Sequence, residues 1–372
     1  MPGQRPTYVE IDLEALAHNY TQIRNQLSAD NQLLAVVKAD AYGHGVEHVV
    51  PALIEAGTEW FGVALVEEGV ELRQAGVTQP ILVLGGVWPE QIDSLLRFEL
   101  TPALYSLEIA RKLNERAVAL GGVGRYHLKV DSGMGRLGFL PGDLPNVLAE
   151  LQSFSALQLE GVFTHFALAD EPGHAFNDVQ VARFREALDA VRAAGFKPSF
   201  VHASNSAAHF ALELPECNLI RPGIALYGAL PSEAFRGLLD LQPVMSFRSR
   251  VAQLKDLPAD YGVSYSHRFV TERPSRIAAI PVGYADGYNR MLTNRGRVLV
   301  RGHYAPVVGT VCMYWIMVDV SDVPGVEVGD EVTLLGRENG HIIWGEEWAE
   351  KIGTIAYEVF CAISKRVPRF KR

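Results

Sequence analysis

The chain has 372 residues, 48% hydrophobic and 21% charged, with 34 Lys+Arg against 43 Asp+Glu and a formal net charge of −9. That length accommodates two domains, or one large barrel with an appendage, around a substantial core. The acidic balance excludes general nucleic-acid binding, which needs a basic surface to displace counterions from phosphates, but it does not exclude one small anion in a local basic pocket.

The opening residues, MPGQRPTYVEIDLEAL, contain no apolar leader segment and no small-residue cleavage site. Apolar runs such as PILVLGGVW are too short to span a bilayer, so no membrane partner is expected. Up to residue 240, short apolar runs predict strands over 33–37, 60–65, 80–84, 100–104, 126–130, 159–164, 199–202 and 219–227. Helical patterns such as VEHVVPALIEAG and SLEIARKLNERAVALGG lie between them, several ending in Gly as helix C-termini prefer. Strands apolar on both faces call for a parallel sheet covered on both sides. Eight of them alternating with helices fit a (β/α)8 barrel over residues 1–240, with a doubly wound open sheet as the rival. Beyond it, segments such as RIAAIPVGYA, GRVLVRG and DEVTLLG alternate or run apolar between Gly, Pro and Asp turns, which predicts a mostly β domain over 241–372. One late helix, GEEWAEKIG, precedes a final strand-like stretch, YEVFCAISKRVPR. Cys217, Cys312 and Cys361 are scattered and odd in number, which points to a reducing, cytoplasmic setting rather than a disulfide framework.

Catalysis on a barrel sits where strands end at the C-terminal face. The first strand runs into Lys38 within LLAVVKADAYGHG, at the rim of the core, where desolvation lowers an amine's pKa and makes it nucleophilic toward an aldehyde. Taken alone, it reads more readily as a lysine snorkelling to water; Tyr42 and the glycines after it favour the chemical reading. HLKVDSGMGRLGF places Lys129 and Asp131 on one strand face by period 2, then Arg136 on a Gly-rich loop. LEGVFTHFALAD ends a strand at His165, followed by Asp170. The ASNSA run sets Asn205 and Ser206 at a helix start, and RPGIALYG puts Arg221, Gly223 and Ile224 on the eighth strand. Barrels bind phosphate with the loops after strands seven and eight, so these residues form a candidate phosphate cup, although Asn205 and Ser206 read equally as helix caps. Amine, phenol and cup together suggest a phosphorylated aldehyde cofactor.

AVVKADAYGHG, KVDSGMGRLGF, THFALAD, ASNSA, RPGIALYG, VSY, IPVGYADGY, VCM and YEVFCAISKRVPR follow one another along nearly the whole chain, and in that order they resemble the alanine racemase family. The resemblance implies a barrel binding pyridoxal 5'-phosphate, a C-terminal β domain, a head-to-tail homodimer and interconversion of L- and D-alanine for cell-wall synthesis. It implies that Lys38 carries the cofactor covalently, and that Tyr42, Ser206, Gly223, Ile224 and Tyr357 hold the phosphate. Arg221, beside His165, would donate to the pyridine nitrogen. Arg136 and Met313 would contact the substrate carboxylate, Lys129 would be carbamylated, and Tyr284, Arg290 and Asp170 would border the entrance. Lys38 on one face and Tyr265 from the partner subunit on the other would exchange the α-proton.

Two positions depart from the family pattern. VCM is usually followed by Asp, where this chain has Tyr314 and Trp315; VSY is usually followed by Gly, where it has Ser266. The Tyr314 phenol implies either compensation by neighbours or a remodelled pocket with another substrate range or reaction. A decarboxylase on the same architecture and a non-catalytic carrier of the cofactor are the alternatives; Arg221 argues against the first, and Tyr265 with the β domain against the second.

Overall fold

The computed structural model describes residues 5–372. After a first strand, β1 (Tyr8–Ile11), come β2 (Gln32–Val36), β3 (Trp60–Val63), β4 (Ile81–Val83), β5 (Thr101–Leu104), β6 (Gly124–Lys129), β7 (Leu157–Phe163), β8 (Phe200–His202) and β9 (Leu219–Ile220). Strands β2 to β9 form one parallel sheet in the order β8-β7-β6-β5-β4-β3-β2-β9. Its ends meet: Asn218 N–H donates to Val201 O at 2.9 Å, and Arg221 N–H to Ser204 O at 3.0 Å. The sheet therefore closes into a barrel, which removes the open-sheet alternative. The strands are short and almost entirely buried, as a sheet wrapped by helices on its outer face and filled on its inner face requires.

The eighth strand is shorter than the apolar run 219–227 predicts. Pro222 offers no N–H to a ladder, and Ile224–Tyr227 winds into a 3-10 turn ended by Gly228 at φ 82°. The terminal stretch also differs from its expected strand: Ala356–Ala362 is a helix, and only Arg369–Lys371 is extended. Ala356, Val359 and Phe360 are its buried residues, with Ile363 buried just past its end, a spacing of one helix face rather than strict alternation.

Beyond the barrel lies a mostly β unit. Gln253–Leu257, Ser275–Ile280 and Ile316–Asp319 form a three-stranded antiparallel sheet. A larger sheet contains Met245–Arg250, Arg297–Val300, His303–Pro306, Glu331–Glu338 and Arg369–Lys371, and it also takes in β1. That strand pairs antiparallel with Met245–Arg250 and parallel with Arg369–Lys371. A division at residue 240 assigns β1 to the barrel, whereas its hydrogen bonds join it to the β unit.

Candidate active site

Strand β2 delivers Lys38 to the barrel mouth, and the next four residues turn the wrong way for L-amino acids. Ala39, Asp40, Ala41 and Tyr42 have φ of 53°, 56°, 53° and 54°. A left-handed turn without glycine costs roughly 1–2 kcal/mol per residue, so its surroundings must hold it. Ala41 N–H donates to Val37 O and Gly43 N–H to Ala39 O, both at 2.9 Å. Ala39 N–H donates to Glu68 Oε1 at 2.7 Å, and Asp40 Oδ1 accepts from Val46 N–H at 2.9 Å. The turn brings Tyr42 back over the mouth, with Lys38 Nζ 6.0 Å from its ring centroid.

A cavity of about 340 Å3 opens there. Its wall includes Lys38, Tyr42, Lys129, Arg136, His165, Asn205, Ser206, Arg221, Gly223, Ile224 and Tyr357, all of them expected site residues. Val36, Leu84, Leu137 and Phe163 supply its apolar surface, which the sequence reading does not anticipate. Burial pushes the Lys38 amine below its ordinary pKa, and the Arg136 charge adds to the effect. Lys129 is buried with Nζ 4.4 Å from the centre of the Phe163 ring; burial, with Arg221 and Arg136 nearby, brings it down to about 7.

The far wall is a small polar cradle. Asn205 caps the helix Ser206–Ala211, its side chain accepting from Ala208 N–H at 2.8 Å, so the capping reading holds for that residue. Ser206 Oγ accepts from Gly223 N–H at 2.9 Å and from Ala225 N–H at 3.5 Å. A Cβ on Gly223 would lie 2.5 Å from Tyr42 Oη. Only a glycine leaves this space open between a phenol, a hydroxyl and backbone donors.

Arg221 is buried and spends its donors in a fixed way. Nη2 donates to Thr164 O and Ala203 O at 3.0 Å each and lies 3.3 Å from His165 Nδ1; Nη1 lies 3.0 Å from His202 Nδ1. Burial lowers its pKa to about 10, which still leaves it a cation at neutral pH. Burial and the Arg221 charge hold both histidines well below their usual pKa, so both are neutral. His202 is a neighbour of the site that the sequence reading passed over; its position at the end of β8 was the available signal.

Asp131 does not share the cavity with Lys129, because β6 ends at Lys129. Although burial opposes it, backbone N–H groups of Gly133, Gly135 and Arg136 at 2.9–3.0 Å hold the Asp131 carboxyl below the usual range and shape the loop that carries Arg136. Asp170, Tyr265, Tyr284, Arg290, Met313 and Tyr314 do not line this cavity. Tyr265 is 71% exposed, and Tyr284, Met291, Met313, Tyr314 and Trp315 are also exposed on the β unit. Tyr284 N–H and Ala285 N–H donate to the carbonyls of Cys312 and Met313 at 3.1 Å, which ties these two loops together. Tyr314 packs against Arg366, whose guanidinium lies 5.1 Å from its ring centre.

A closed parallel barrel with a desolvated amine at its C-terminal mouth, facing a hydroxyl and backbone N–H groups, has the groups that an enzyme holding a phosphorylated carbonyl compound needs. The family models for the alanine racemase N-terminal and C-terminal domains match residues 11–231 and 244–371. An alanine racemase of Geobacter sulfurreducens is 51% identical over 98% of this chain and 97% of its own. The structure of alanine racemase from Bacillus anthracis with bound L-Ala-P superposes with a TM-score of 0.92 at 38% identity, covering 100% of this chain and 96% of that one. The alanine racemase of Bartonella henselae, with covalently bound pyridoxal phosphate, superposes with a TM-score of 0.90 at 29% identity, covering 99% of this chain and 100% of that one. The chain belongs to the alanine racemase family. Membership favours a racemase over the decarboxylase and carrier alternatives.

Proposed function

We propose that this chain interconverts L- and D-alanine with pyridoxal 5'-phosphate, using Lys38 and the partner subunit's Tyr265 as its two acid–base groups. The observation that carries the residue-level reading is the Lys38 amine in one cavity with the Ser206–Gly223 cradle. The cradle fits the cofactor's phosphate: its glycine leaves open the space that a Cβ would fill, and hydroxyl and backbone donors surround it. Tyr42, Ser206, Gly223, Ile224 and Tyr357 would hold the phosphate and Lys38 the aldehyde carbon. When bound, the cofactor supplies an electron sink that acidifies the substrate Cα–H.

The chain's own groups do the rest. The depressed pKa of Lys38 gives it the free-base fraction needed to attack a carbonyl and then to accept a proton on one face of the substrate. Arg221 donates but has no readily lost proton, so the atom it contacts stays an acceptor, with His165 beside it. The Arg136 cation suits a substrate carboxylate. Lys129, whose pKa of about 7 leaves a large free-amine fraction near neutral pH, is nucleophilic enough to take up carbon dioxide, and the resulting anion would orient Arg136.

Tyr265 lies exposed on the β unit, where Tyr284, Met313, Tyr314 and Trp315 are exposed as well. So many exposed large apolar side chains on one unit support a homodimer in which each β unit, residues 241–372, completes the barrel of the other. Free Cys217, Cys312 and Cys361 fit a cytoplasmic location. Borohydride should fix the cofactor on Lys38, and chiral chromatography should show alanine racemised. Mixing inactive K38A and Y265A chains should restore turnover, since one hybrid site has both groups. Label on another residue, or hybrids that stay inactive, would defeat this reading.

A further inference from the structure

A line of polar side chains runs through the barrel core away from the cavity. Arg221 Nη1 lies 3.0 Å from His202 Nδ1, His202 Nε2 lies 2.8 Å from His127 Nδ1, and His127 Nε2 lies 3.6 Å from Glu160 Oε2. Arg221, His202 and His127 are buried. Glu160 keeps 17% side-chain exposure and borders a second cavity, of about 440 Å3, beside Trp60 and Thr101 at the opposite end of the barrel.

The chemistry of the groups fixes the direction of each link. A guanidinium only donates, so His202 Nδ1 accepts. A neutral imidazole that accepts at one nitrogen carries its proton on the other, so His202 Nε2–H donates to His127 Nδ1. His127 therefore has its proton on Nε2, facing a carboxylate. This last step is longer than a hydrogen bond, yet neither His127 Nε2 nor Glu160 Oε2 has another hydrogen-bonding partner among the described residues. Packing holds the line in place. Phe163 stacks on His202 with centroids 4.6 Å apart and planes 4° apart, and a Cβ on Gly161 would lie 2.6 Å from His127 Nδ1.

We infer that Glu160 and His127 are positioning residues that act through His202 on Arg221. The carboxylate at the far end holds the His127 proton on Nε2, the tautomer that the Arg221 end also demands, so the line keeps one direction: Arg221 meets an acceptor on the core side and keeps its remaining donors for the cavity. The consequence for turnover rests on the reading of Arg221 as a donor to the cofactor; the tautomers do not.

Nitrogen–proton correlation spectra of the histidine-labelled holoenzyme, with H127F used for assignment, test the chain of protons directly. Both rings are expected as Nε2–H tautomers. In E160L, His127 should populate the second tautomer, and kcat should fall on the order of tenfold with KM unchanged. E160Q, which retains an acceptor oxygen, should recover the parent tautomer and part of the lost kcat. An Nδ1–H form at either ring of the parent protein overturns the inference, and that measurement needs no variant to fold. Unchanged kcat in E160L, with or without a tautomer change, overturns the positioning role. Failure of the Arg221 reading itself appears separately, as R221K retaining full turnover.

Discussion

Ser266 sits in backbone that suits a glycine. Its φ of 60° and ψ of 11° lie in the left-handed region, between Ser264 at φ 64° and His267 at φ 42°. The family pattern has Gly here, and the geometry explains why. S266G should stabilise the protein by about 0.5–1 kcal/mol, the strain relieved less the extra freedom of the unfolded glycine; denaturant midpoints read the difference. Lys129 carries a cost of another kind. Its folded-state pKa, about 7, lies below the ordinary 10.5, mainly through burial and then Arg221 and Arg136. The unfolded chain binds more protons between those values, so this site's contribution to stability rises as pH climbs through that window. In carbonate-free buffer K129M should therefore be more stable than the parent at neutral pH, with the gap closing toward pH 10.5. Added bicarbonate should raise the parent's midpoint and leave that of K129M where it was.

Among the elements, the left-handed turn after β2 and the loop at Gly223 set the shape of the cavity together. G223A should push Tyr42 out of the cradle and weaken cofactor binding by at least about tenfold, read by absorbance titration, because a contact of 2.5 Å has to be relieved. Much of this is legible in the sequence. Apolar runs ending at Lys38 and His165, and the run 219–227 that contains Arg221, mark strands that meet at the cavity, since a parallel barrel gathers all its strand ends at one mouth. The handedness of residues 39–42 is not legible, because Ala-Asp-Ala-Tyr has no glycine to announce positive φ. The terminal helix is misread because YEVFCAI is apolar on a period that short windows leave ambiguous. The line from Arg221 to Glu160 joins residues far apart in sequence, and its only local trace is His127 two places before Lys129 on the same strand.

At the scale of the molecule, the two units depend on each other. Tyr357, from the last helix, lines the cavity of the barrel, and a Cβ on Gly43 would lie 2.5 Å from Phe360 O. A chain ending at residue 240 should be poorly soluble and hold no cofactor, as sedimentation and absorbance would show, since it loses both contacts and leaves β1 without partners. The placement of β1 also bears on synthesis. It is made well before either of its neighbours, Met245–Arg250 and Arg369–Lys371, with the whole barrel between. A nascent barrel must keep that strand unpaired until Met245–Arg250 has followed it, so the larger sheet is completed only after the barrel strands have all been made.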